Sequence, residues 1–75
     1  MKEYIKVMKD FLATTDKELK VHYAKRARII WEYNYYIKVK TEKEANKWLN
    51  IKSSYADNMS IEDFAVFSEY GFSQF

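Results

Sequence analysis

The sequence predicts a small α+β domain, ordered helix, hairpin, helix, helix, and three observations carry that expectation. Every odd position of residues 29–39 is apolar, Ile29, Trp31, Tyr33, Tyr35, Ile37 and Val39, with Glu32, Asn34, Tyr36 and Lys38 among the even ones. That period of two is the pattern of a half-buried strand, and eight of these eleven residues are β-branched or aromatic. Thr41 and Glu44 form the outline of a capping box ahead of apolar residues spaced by three and four, the start of a helix. Residues 2–13 set Tyr4, Ile5, Met8, Phe11 and Leu12 on one helical stripe, opposite Lys2, Glu3, Lys6, Lys9 and Asp10.

In chain order, the first helix is amphipathic with mixed charge on its polar side, which suits packing on its own core better than lying on a lipid surface. Thr14, Thr15 and Asp16 end it. Thr15 with Glu18 fits a further capping box, which would open a second helix through Leu19, Tyr23 and Ala27. The same segment also alternates, Leu19, Val21 and Tyr23 against Lys20 and His22, and pairs with the strand at 29–39 if the chain reverses through Ala24–Arg28. That reversal has no Gly, Pro, Asn or Asp to make it. The alternative fold is an all-α bundle with one long central helix over 16–40, since nothing from 17 to 40 is Gly or Pro. Against it, a helix over 29–40 would be apolar nearly all round.

From Thr41 the pattern predicts a helix to about Tyr55 that lays Trp48 and Leu49 on the strand's odd face. Asp57-Asn58 breaks it. Ser60 with Asp63 caps a short last helix, with Ile61 and Phe64 completing the core, that closes near Gly71, the only glycine and a helix stop. With 75 residues the chain forms a single domain, 1–75. Folding at that size removes only about 60% of the extended chain's surface from water. There is no Cys for a disulfide or a thiolate zinc site, so the fourteen aromatics must supply the core.

No run is apolar enough to span a bilayer, and charges interrupt the N-terminal residues where a signal peptide needs an apolar core, so a soluble, cytoplasmic protein is expected. Eleven Lys to two Arg suit an AT-rich genome, and a phage or plasmid origin fits that composition. Catalysis is poorly served. His22 is the only His, no nucleophile has a base at a recognisable spacing, and no Gly-rich loop can hold phosphate. Asp57, Asn58, Ser60, Glu62 and Asp63 have calcium-loop ingredients without its glycine or terminal Glu, and capping explains them better. Neither cofactor nor metal is implied.

Charge is the strongest functional clue. The net charge is only +2, but residues 17–40 carry seven Lys or Arg against Glu18 and Glu32, a net +5, while residues 53–75 carry −4 from Asp57, Glu62, Asp63 and Glu69. The expected function is a non-enzymatic protein-binding module that regulates or inhibits a larger partner, with an open strand edge to pair with that partner or with a second copy. Tyr36, Lys38, Lys40, Phe67, Tyr70, Phe72 and Phe75 are the candidate partner-binding residues. Phe72 and Phe75 are the foremost anchors.

The alternative is DNA binding through a basic β-face made of Lys20, His22, Arg26, Arg28, Asn34, Tyr36, Lys38 and Lys40. The passage from strand into Thr41-Glu42-Lys43-Glu44-Ala45-Asn46-Lys47-Trp48-Leu49 resembles the sheet-to-helix junction of the arm-binding domains of phage-type integrases. That likeness covers about ten residues, lacks the family's Gly-containing turns, and implies a three-stranded sheet on DNA. A strand followed by two helices also fits a ribbon-helix-helix dimer. Glu32 in mid-strand and the acidic final third weigh against both.

Overall fold

The computed structural model describes residues 1–72, and all of their regular structure is helical. Helix α1 spans Lys2–Ala13, α2 spans Lys17–Glu32, α3 spans Glu42–Asp57 and α4 spans Ile61–Val66. Helix α2 passes without a break into a π-helical segment, Tyr33–Lys38, and α4 likewise into a second, Phe67–Gly71.

The strand at 29–39 is therefore not formed, and no strand lies among the described residues. Residues 17–38 make one continuous helical rod, which replaces the α+β hairpin with an all-helical domain. The reason lies in the connection: Ala24 and Ala27 sit fully buried in mid-helix where the hairpin needed its turn. Ala24–Arg28 holds none of the residues that favour a reversal and consists of good helix formers, so continuing the helix wins.

Caps set the boundaries. Asp16, rather than Thr15, caps α2, accepting from the Leu19 amide at 3.1 Å, while Thr14 Oγ1 accepts from the Asp16 amide. Thr41 Oγ1 accepts from the Glu44 amide at 3.2 Å and donates to Glu44 Oε1 at 3.1 Å, so the expected capping box is present, and α3 runs two residues past Tyr55. Ser60 caps α4 through the Asp63 amide. Gly71 ends the last helical segment with φ outside the left-handed region, so its role is space. A Cβ there would stand 2.7 Å from Cε2 of Phe67, a ring fully buried in the core.

Helix α2 is the axis of packing. Its two alanines let α1 and the segment after α4 approach closely, and Ile30 and Trp31 extend the same buried side. Tyr4, Val7, Met8 and Phe11 come in from α1, Trp48 from α3 and Phe67 from the C-terminal segment. Leu12 of α1 and Leu49 of α3, both expected inside, are substantially exposed. Ile61 is 87% exposed and Phe64 is on the surface, so neither completes the core.

Two buried side-chain atoms among the described residues lack a hydrogen-bond partner, the Tyr4 hydroxyl and Arg28 Nε, the latter 3.6 Å from Glu32. The Tyr4 ring meets Trp48 edge-on at 5.6 Å and Tyr55 at 6.5 Å, and its hydroxyl has no hydrogen-bond partner. Burial first, and the neighbouring Tyr55 second, push its ionisation far above the ordinary 10.0. Tyr4→Phe removes an orphaned hydroxyl without opening a cavity, and is expected to raise stability by about 1 kcal/mol. Above pH 10 the unfolded chain gives up this proton while the native state keeps it, so the unfolded state binds fewer protons and stability falls. Urea titrations of both proteins on either side of that pH check this: the variant should gain at neutral pH and lose less on going alkaline. Equal alkaline losses in the two proteins would refute it.

Candidate functional site

The outer side of the central rod is where the molecule departs from ordinary burial. Ile29 is 63% exposed, Ile37 58%, Tyr33 53% and Tyr36 45%. Their spacing places them on one stripe, turned away from the buried Ala24, Ala27 and Trp31. A groove of about 550 Å³ runs between them, floored by Glu32 and open to solvent. Its breadth suits side chains of another macromolecule better than an enclosed small ligand.

The π-helical turn shapes this stripe. The Val39 amide donates to Asn34 O at 2.9 Å, five residues back, and the Asn34 side chain donates to Ile30 O at 2.8 Å. This wider turn brings both Tyr35 and Tyr36 to Trp31. Tyr35 stacks on the indole at 4.4 Å and 10°, and Tyr36 meets it edge-on at 6.0 Å. On the indole's surroundings, Lys52 Nζ sits 4.0 Å from the ring centroid and Trp31 Nε1 donates to Trp48 O at 3.4 Å. Desolvation lowers the Lys52 ammonium from its ordinary pKa, opposed by Glu32. The exposed Tyr36 thus rests on a fixed aromatic base.

Basic groups mark both ends of the stripe. His22, Lys25 and Arg26 are exposed one to two turns before Ile29, and Lys38 and Lys40 follow Ile37. Arg26 is 3.5 Å from Glu3 across exposed surface, Lys25 lies 5.4 Å over Tyr70, and Lys38 lies 5.2 Å over Tyr33. Such exposed contacts are weak and leave the charges accessible to a partner.

Other candidate residues have structural positions. Lys20 is inside a clamp: Nζ is 2.9 Å from Asp63 Oδ1, donates to Phe11 O at 2.8 Å and lies 4.7 Å over the Phe11 ring. Arg28 is 3.6 Å from Glu32, and Asn34 serves the helix backbone. The basic β-face that was to unite these with His22, Arg26, Tyr36, Lys38 and Lys40 has no sheet to form on. The integrase-like sheet and the ribbon-helix-helix arrangement lose their strand for the same reason. Phe67 is fully buried, and Tyr70 and Phe72 are half-buried, with Phe72 edge-on to Phe67 at 4.7 Å. Phe75 lies outside the described residues.

Ile29, Tyr33 and Ile37 were expected on the strand's buried face and instead are the most exposed part of the stripe. A helical wheel over 22–40 separates them from Ala24, Ala27 and Trp31, and is the pattern that would have found them. Among the described residues no three His, Cys, Asp or Glu side chains converge to hold a metal, and no helix is long and apolar enough to cross a membrane. No protein family, curated protein or solved structure matches the chain.

Proposed function

We propose that the chain is a non-enzymatic protein-binding module that regulates or inhibits a larger partner, docking through Ile29, Tyr33, Tyr36 and Ile37. The single observation behind this reading is the contiguous aromatic and aliphatic stripe left in water on a helix whose opposite side already fills the core. Tyr36 held on the Trp31 and Tyr35 rings loses little entropy on binding, and tyrosines are frequent anchors of interfaces. The basic ends favour a partner with acidic groups around an apolar centre and would speed its approach.

Tagged protein incubated in lysate, with and without nuclease, tests the reading when compared with the double variant Tyr33→Glu, Ile37→Glu. Both sites are more than half exposed, so the variant should fold as the parent does. One protein recovered in stoichiometric amount after nuclease, and lost at least tenfold in the variant, supports the proposal. Retention of nucleic acid alone, weakening steeply with salt, would replace it with the DNA-binding alternative.

A further inference from the structure

A second exposed surface has the opposite charge. Ile61, Phe64, Ala65 and Ser68 recur at three and four along α4 and its continuation, all exposed, with Glu62 and Glu69 exposed beside them. Asp57 at the end of α3 is also exposed, and no Lys or Arg occurs from 53 to the end of the chain. Asp63 is the one acidic residue of this region held internally, by Lys20. The result is a largely apolar helix face bordered by the carboxylates of Glu62, Glu69 and Asp57, with Lys52 the cation lining the groove beside Phe64 and Asp57.

This face and the stripe on α2 are complementary at their edges: the stripe, whose groove also holds Glu32 beside its apolar side chains, is edged by cations, and the α4 face is edged by anions. They cannot meet within one molecule. The segment after α4 packs on the buried side of α2, with Phe67 in the core, whereas the stripe lies on the opposite side of that helix. We infer that the two surfaces join between copies, so that the acidic face of α4 in one molecule occupies the α2 stripe of the next. An isologous pairing of two stripes would set basic ends near one another or gain nothing from charge, while the head-to-tail contact matches each cation edge with an anion edge. A contact made by so few residues is small and therefore weak, populated at high micromolar to millimolar concentration.

The inference rests on the stripe being a protein-docking surface, and adds that the chain itself competes for it. A foreign partner then has to displace the next copy, which makes partner binding weaker as the protein becomes more concentrated.

Sedimentation equilibrium over a wide concentration range tests this without an unknown ligand. The wild-type mass should rise with concentration past that of a dimer, and the rise should shrink in high salt. The variant Tyr33→Glu, Ile37→Glu, blocked at the stripe, and the variant Ile61→Lys, Glu62→Lys, blocked at the acidic face, should each remain monomeric. Mixed in equal amounts they should form a dimer and no larger species, because only one intact surface remains on each molecule. A monomeric wild type at every concentration overturns the inference, as does an acidic-face variant that associates as strongly as wild type. Either result leaves the capture experiment to judge the docking surface by itself.

Discussion

Trp31→Ala should cost about 3–5 kcal/mol, the largest loss expected from any single substitution on the rod. The indole is buried, stacks on Tyr35, supports Tyr36 and Lys52, and donates to the Trp48 carbonyl. Removing it takes away a hydrophobic volume, an aromatic stack worth about 1 kcal/mol and the partner of a buried acceptor. Domains this small have total stabilities at the low end of about 5–15 kcal/mol, so a large fraction of the variant should be unfolded at moderate temperature. Trp31→Phe keeps a ring but loses the donor, and should cost about 1–2 kcal/mol. Amide hydrogen exchange adds the local test. Tyr33–Lys38 should lose more protection than α1 does, and equal changes in both would show that the aromatic stack does not hold the π-helical turn.

Lys20→Ala should cost about 2–3 kcal/mol, because the ammonium joins three parts of the chain. It satisfies the Phe11 carbonyl at the end of α1, pairs with Asp63 of α4 and covers the Phe11 ring. Both charged side chains are less than one-fifth exposed, so removing one leaves the other poorly solvated. Asp63→Asn alone should cost less, since the lysine keeps its carbonyl and ring. In a double-mutant cycle the two losses should fall short of additive by about 1 kcal/mol or more, read from urea midpoints. Strict additivity would mean that the ion pair contributes nothing.

Helix ends were legible because caps are local chemistry. Thr41 with Glu44 and Ser60 with Asp63 mark the starts of their helices, whereas α2 is capped by Asp16 and not Thr15, and α3 ends two residues past Tyr55. Residues 29–39 misled for a physical reason: a helix with two apolar sides offers no amphipathic period, and its alternation then imitates a strand. The observation that such a helix would be apolar all round was sound. Its meaning was a second, outward apolar surface, and not the absence of a helix. The surface groups at Lys38 and Lys40 were visible in sequence, whereas the exposure of Ile29, Tyr33 and Ile37 emerges only once residues 22–40 are placed on a helical wheel. Lys20 was equally illegible, since its partners Phe11 and Asp63 are brought together only by packing.

The clamp at Lys20 also couples two parts of the molecule. Helices α1 and α2 share the core through Met8, Ala24 and Ala27, but Phe11 is covered on one edge by Phe67, which meets it at 6.2 Å. If the last helical segment opens, that edge of the α1–α2 pair is uncovered and Lys20 loses the Asp63 carboxylate in the same event. Local opening of the C-terminal segment should therefore expose apolar surface and a charge together, so that it is resisted by both.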